Sequence, residues 1–163
     1  MPLELAGFFH YGEGSPGPEP ILFLANRSEA DWKRIVERTE RRRFVAGEEL
    51  IRAGELDRSL MILVDGELEV IAPDAAGGFR RLETIQGRSV IGELAFFDGR
   101  PRSATVRALT SGHILRLTFE EFEILSARHP ELGRAVLLDL GRILAERLRQ
   151  TTEAMLAAGG SGR

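Results

Sequence analysis

The order of apolar and polar residues divides the chain into a helical beginning, a long middle of short strands and a helical end. Near the beginning, Ser28 can cap a helix, and Trp32, Ile35 and Val36 then recur at helical spacing. This pattern predicts a helix over residues 28–38. The segment that follows is rich in arginine, and we expect it to end the helix at the protein surface.

The middle of the chain, residues 44–117, consists of short apolar runs separated by glycines. Many short strands joined by glycine-containing turns are typical of an all-β sandwich or barrel. Residues 60–64 and 67–71 flank an Asp65-Gly66 pair, which suits a type I′ turn and therefore predicts a hairpin. Further strands are predicted over residues 80–85, 104–108 and 113–117.

Two helices are predicted after the strands. Thr118 and Glu121 have the spacing of a capping box, which predicts a helix over residues 118–127. Pro130 suits the first turn of a longer helix over residues 130–156. This last helix carries a heptad seam, which either docks on the domain or pairs with a second copy. The residues of the heptad seam are Gly141, Leu144, Leu148, Thr151 and Met155.

Composition restricts the class of protein more than its function. The chain has 163 residues, of which 43% are hydrophobic, and its formal net charge is −3. This size suits one domain with a packed core, and the mixture of charges does not favour nucleic-acid binding. The absence of cysteine excludes disulfides and thiolate catalysis and is compatible with a cytoplasmic location. No apolar run reaches membrane-spanning length, so we expect no membrane insertion.

The two ends of the chain differ in composition from the rest. Residues 1–27 include a Gly- and Pro-rich stretch over 10–20, which suits neither a helix nor a central strand and predicts an arm or linker. Residues 157–163 are small and rich in glycine, and we expect a flexible tail there. The domain itself is therefore assigned to residues 28–156.

One stretch, residues 92–106, joins a carboxylate to an arginine through a tight turn. Glu93 can accept hydrogen bonds from a hydroxyl group, while Arg102 and Ser103 offer donors suited to phosphate oxygens. The amides that follow Gly92 would begin a brief helix, where an anion is favoured. Taken alone, Glu93 and Arg102 are also compatible with an ordinary surface ion pair.

The sequence of this stretch, G-E-L-A-F-F-D-G-R-P-R-S-A-T-V, resembles the phosphate-binding cassette of the cyclic nucleotide-binding domain family. The glycine spacing of the preceding strands also resembles that of the family's β-roll, and the resemblance extends over residues 28–155. It implies a mainly β fold, a jelly-roll-like antiparallel β-roll flanked by one N-terminal and two C-terminal helices. It also implies a ligand, cAMP or cGMP, and no cofactor. The cassette residues implied to contact that ligand are Gly92, Glu93, Leu94, Ala95, Arg102, Ser103 and Ala104.

The resemblance also assigns parts of the ligand to individual residues. It implies that the cyclic phosphate binds Arg102 and Ser103 and that the ribose 2′-hydroxyl binds Glu93. Thr151 and Thr152 match the positions that contact the base, although a helix threonine often bonds a carbonyl of its own helix instead. Thr151 favours cAMP, whereas the hydroxyl of Ser103 leaves cGMP open. Candidates for an apolar wall, which could equally be plain core residues, are Leu82, Ile85 and Ile91.

We therefore expect a cyclic nucleotide sensor, not an enzyme, that passes ligand binding through its last helix to an unknown effector protein. In the family's DNA-binding members the corresponding helix leads into a helix-turn-helix, and no such segment follows here, so DNA binding is not expected. A homodimer through the last helix is a further expectation. Two alternatives stay open: a β-roll interaction domain that has lost nucleotide binding, and a metal-dependent β-roll enzyme. The scattered positions of His10, His113 and His129 disfavour the enzyme.

Overall fold

The computed structural model describes residues 22–160, which form two antiparallel sheets and four helices. The helices are α1 (Glu29–Val36), α2 (Glu93–Asp98), α3 (Phe119–Arg128) and α4 (Pro130–Gly159), and the strands are β1 (Glu40–Phe44), β2 (Glu49–Ile51), β3 (Leu60–Asp65), β4 (Glu67–Pro73), β5 (Phe79–Gln86), β6 (Val90–Ile91), β7 (Thr105–Ala108) and β8 (Gly112–Leu117). The strand orders are β1-β8-β3-β6 in one sheet and β2-β7-β4-β5 in the other. The predicted mainly β fold with flanking helices is confirmed.

Two groups of buried apolar residues hold this arrangement together. One group lies inside the β-roll and includes Phe44, Leu63 and Leu68. The other packs α1, α3 and α4 against the roll, with Trp32 and Leu140 among its fully buried members. Because α2 contributes Phe96 to this second group, the cassette is packed against the helices as well as against the strands.

The predicted hairpin around Asp65-Gly66 is wrong, although both of its strands form. β3 pairs with β8 and β6, whereas β4 pairs with β5 and β7, so the two strands lie in different sheets. Gly66 has a φ of 94°, and a Cβ there would lie 2.9 Å from Ser111 O. The glycine is therefore needed where the chain crosses between sheets, and its positive φ does not determine whether the flanking strands pair.

The arginine-rich segment forms a strand instead of ending the first helix. α1 ends at Val36, and β1 pairs along its whole length with β8. Arg41 and Arg43 are exposed, while Phe44 is buried inside the roll. Hydrogen bonds to β8 and burial of Phe44 outweigh the tendency of arginine to extend a helix.

The end of the predicted N-terminal arm belongs to the packed domain. Phe23 and Leu24 are almost fully buried, and the Phe23 ring meets the Trp32 ring edge-on at 6.2 Å between centroids. The amide of Leu24 donates a hydrogen bond of 2.7 Å to Asp139 Oδ2 on α4. The domain therefore begins by residue 22, and the remainder of the predicted arm lies outside the described residues.

The two C-terminal helices begin close to their predicted positions. The hydroxyl of Thr118 accepts a 3.2 Å hydrogen bond from the amide of Glu121, but the Glu121 carboxylate binds Arg38 instead of reaching back to the cap. α4 continues to Gly159, so the start of the predicted tail is helical, and the tail's last three residues lie outside the described part. None of the described helices has the length and apolar character needed to cross a membrane.

Candidate functional site

The cassette begins with a glycine that no other residue could replace without strain. Gly92 precedes α2 with a φ of 81°, and a Cβ there would lie 2.3 Å from Arg102 Nη1. The same Nη1 donates a 2.9 Å hydrogen bond to the carbonyl of Gly92. Both the positive φ and the close approach of the guanidinium therefore require glycine at this position.

Arg102 is buried, with only 4% of its surface exposed. Its Nη2 donates to Ser59 O at 2.7 Å and to Ser59 Oγ at 3.2 Å, and it lies 3.3 Å from Asp57 Oδ2. Its Nε has no hydrogen-bond partner among the described residues. A buried arginine with an unpartnered N–H group can still donate a hydrogen bond to an anion.

Asp57 supplies the carboxylate that accompanies this buried cation. Partial burial by itself raises the pKa of Asp57, but the hydrogen bonds from Ser59 and the charges of Arg102 and Arg116 outweigh it and lower that pKa overall. Asp57 is therefore ionised at neutral pH and holds the Arg102 side chain from the side of the loop before β3.

Glu93, the first residue of α2, is also buried, but its partner is not Arg102. Arg147 Nη1 on α4 lies 2.5 Å from Glu93 Oε1, and Arg147 Nη2 donates to Val90 O at 2.9 Å. Glu83 Oε1 lies 3.7 Å from Arg147 Nε. Glu93 and Arg102 therefore each have separate partners, which differs from a surface ion pair across the turn.

Sequence reasoning missed Arg147 because 54 residues separate it from Glu93. A usable signal existed in the last helix. Arg147 precedes Thr151 by four residues, so both lie on one helical face. Because Thr151 is a candidate for contact with the base, the arginine one turn earlier is a candidate for the same site.

Glu93 and Arg102 border one cavity of about 110 Å³, and every predicted cassette residue lines it. Of the three candidates for the apolar wall, Ile85 and Ile91 line the cavity, whereas Leu82 is 51% exposed and does not. The complete lining is Ile51, Val70, Glu83, Ile85, Ile91, Gly92, Glu93, Leu94, Ala95, Arg102, Ser103, Ala104, Val106 and Arg147. The lining therefore combines aliphatic side chains with two carboxylates, Glu83 and Glu93, and two guanidinium groups, Arg102 and Arg147.

Thr151 and Thr152 are not brought into the cavity. Both are exposed, and their hydroxyls donate 2.9 Å hydrogen bonds to the carbonyls of Arg147 and Leu148 on the preceding turn. Their predicted contact with the base has no counterpart in this arrangement of α4.

The described histidines occupy structural positions. His113 lies in β8 beside Asp65, and His129 directly precedes α4. Within residues 22–160 there is no group of three or more potential metal ligands.

A β-roll with a buried arginine and a buried carboxylate around one cavity defines a ligand-binding domain. Residues 41–129 match the family described as the cyclic nucleotide-binding domain, so the chain belongs to the cyclic nucleotide-binding domain family. The resemblance of the cassette to that family is confirmed.

Two bacterial proteins and one solved structure are similar to this chain. An uncharacterized NTE family protein of Mycobacterium tuberculosis is 34% identical over 137 residues, covering 84% of this chain and 22% of that protein. The cAMP-activated global transcriptional regulator CRP of Salmonella typhimurium is 32% identical over 105 residues, covering 64% of this chain and 48% of the regulator. The crystal structure of a cyclic nucleotide-binding domain from Methylobacillus flagellatus superposes with a TM-score of 0.76 and 24% identity, covering 83% of this chain and 76% of that one. This chain thus spans less than half the length of both sequence relatives.

Proposed function

We propose that the cavity binds a cyclic nucleotide, with cAMP preferred over cGMP, and that the domain is a regulatory module and not a catalyst. The observation that carries this proposal is Arg102, which is buried at the cavity with an unpartnered Nε. A cyclic phosphate would supply the acceptor that Arg102 Nε lacks, in addition to the Asp57 carboxylate that already pairs with Nη2. A charge-assisted hydrogen bond of this kind contributes about 1.5–3 kcal/mol.

The remaining cassette residues take the other parts of the ligand. Ser103 adds a hydroxyl to the phosphate contacts, and Glu93 accepts from the ribose 2′-hydroxyl. Gly92, Leu94 and Ala95 present the backbone at the beginning of α2, and the small side chain of Ala104 lets the ligand approach the strand. The aliphatic side chains of the cavity pack against the apolar surface of the sugar and base.

The preference for cAMP rests on the last helix and on one relative. Thr151 and Thr152 lie one turn beyond Arg147, which already reaches the cavity, so a small shift of α4 would bring a hydroxyl towards the base. The bacterial regulator that shares 32% identity is named for activation by cAMP. Ser103 keeps cGMP as a weaker ligand.

Nucleotide binding acts on the position of α4. Because Arg147 on α4 binds Glu93, a ribose that engages Glu93 changes the environment of that arginine and favours one position of the helix over another. The output goes to an effector protein, to a second copy of this chain or to a fused segment. The exposed heptad seam, in which Leu148 is 69% and Met155 70% exposed, is the surface for a homodimer.

A titration with cAMP, cGMP, 5′-AMP and 5′-GMP, followed by thermal unfolding, tests this function. Ligand at one hundred times its dissociation constant stabilises a protein by about 2.7 kcal/mol. We expect cAMP to raise the melting temperature at the lowest concentration, cGMP at a higher one, and the linear monophosphates not at all. No response to either cyclic nucleotide would instead favour an interaction domain that has lost its ligand.

A further inference from the structure

One arginine outside the cavity caps the cassette helix from a distant part of the chain. Arg58, on the loop before β3, donates from Nε to Phe96 O and from Nη2 to Phe97 O, both at 2.9 Å. These carbonyls lie in the last turn of α2, where a helix has no internal donors. The guanidinium therefore donates hydrogen bonds to carbonyls at the C-terminal end of α2 that would otherwise bind solvent.

The same guanidinium touches the helix that follows the β-roll. Its central carbon lies 3.5 Å from the centroid of the Phe119 ring, a cation–π contact with the first residue of α3. The Phe119 ring also meets the Phe96 ring of α2 at 5.4 Å between centroids. One side chain thus joins the end of the cassette helix to the beginning of α3.

The neighbours of Arg58 contact the other part of the cassette. Asp57 and Ser59 bind the guanidinium of Arg102, as described above. Three consecutive residues therefore hold the buried arginine of the cavity, the C-terminal end of α2 and the first residue of α3.

We propose that Arg58 is a positioning residue for the nucleotide, an inference that rests on the proposed function. α2 has only six residues, too few for a stable isolated helix, so its orientation depends on tertiary contacts. Arg58 keeps α2 in the orientation in which Glu93 faces the cavity, and it ties any shift of α2 to α3. Without the contacts of Arg58, nucleotide binding would also have to order the cassette, and the affinity for the nucleotide would fall.

The test compares three variants of the full chain by calorimetric titration with cAMP. Arg58→Ala should raise the dissociation constant about tenfold, and Arg58→Lys, which keeps the charge but loses the paired hydrogen bonds, should raise it roughly threefold. Arg52→Ala is the matched control, since Arg52 is an exposed arginine that pairs with Glu49. Its dissociation constant should stay within about twofold of the unsubstituted protein.

Thermal unfolding and amide hydrogen exchange without nucleotide separate positioning from stability alone. A lower melting temperature for Arg58→Ala with an unchanged dissociation constant would overturn the proposal, because the arginine would then be only a structural cap. If the unsubstituted chain binds no cyclic nucleotide, the proposed function and the nucleotide-positioning role both fail, and exchange then decides only whether Arg58 ties α2 to α3. Faster exchange in both α2 and the first turn of α3 supports this tie, and unchanged exchange in either helix refutes it.

Discussion

Arg147 in the second half of the last helix binds Glu93 at the beginning of the cassette helix, although 54 residues separate them in the chain. Both side chains are largely removed from solvent, and Arg147 also holds the carbonyl of Val90. The carboxylate assigned to the ribose is therefore in direct contact with the helix assigned to signalling. In the proposed function, this pair links nucleotide binding to the position of α4.

Glu93 and Arg147 should be energetically coupled in the absence of ligand. Arg147→Ala leaves a buried carboxylate unpaired, so we expect it to lower the free energy of unfolding by about 2 kcal/mol. In a double-mutant cycle with Glu93→Gln, the coupling energy from urea unfolding should exceed about 0.5 kcal/mol. Arg149→Ala, at an exposed position two residues further on, is the control and should change stability by less than about 0.5 kcal/mol.

Arg102→Ala should abolish most nucleotide binding. Loss of the charge-assisted bond to the phosphate predicts a dissociation constant for cAMP that rises about 10- to 150-fold, measured by calorimetry. The same substitution should also lower the stability of the protein without ligand, because Asp57 loses its buried partner. Arg100→Ala, at the exposed turn of the cassette, provides the comparison. Full retention of cAMP binding by Arg102→Ala would show that the phosphate lies elsewhere.

Thr151→Ala tests the contact with the base. Its hydroxyl bonds only a carbonyl of its own helix and is exposed, so we expect the stability of the unliganded protein to change by less than about 0.5 kcal/mol. If the hydroxyl reaches adenine in the complex, the affinity for cAMP should fall about fivefold, as for the loss of a neutral hydrogen bond. An unchanged ratio of cAMP to cGMP affinity would remove Thr151 from the site.

Glu69 makes the stability of the second sheet depend on pH. Hydrogen bonds from Arg107 and Arg81 lower the pKa of this buried carboxyl below its ordinary value of 4.5. Such a group stabilises the folded state above its unfolded pKa, and this contribution disappears as the pH falls through the folded pKa. Urea unfolding of the unsubstituted protein and of Glu69→Gln should therefore differ most at neutral pH and converge in acid. A difference that is constant with pH would contradict the role of the charge.

Leu148→Glu tests the heptad seam as a dimer interface. We expect the unsubstituted protein to sediment as a dimer at high concentration and the variant to remain monomeric, because a charge in the seam is costly to bury. Leu56→Glu controls for the loss of an exposed leucine, since Leu56 is 81% exposed on a loop far from α4 in sequence. Monomeric behaviour of the unsubstituted protein, with and without cAMP, would exclude this interface.

Predictions from the sequence succeeded where the relevant interactions are local. Ser28 and Thr118 accept hydrogen bonds from amides three residues ahead, as their capping positions predict. Predictions from the sequence failed where a strand pairs with a segment distant in the chain. The Asp65-Gly66 turn and the arginines of β1 are locally ambiguous, and only contacts with β8 and the second sheet decide their structure.

The sequence by itself determined the cassette, because a glycine at positive φ, a carboxylate, and an arginine after a second turn lie within eleven positions of one another. Short separations leave few alternative geometries for such a segment. Only the tertiary structure decided the partner of each charged group. Glu93 binds Arg147, and Arg102 binds Asp57 and Ser59. Those partners come from other elements, and the packing of the whole chain selects them from many arginines and carboxylates of similar local sequence.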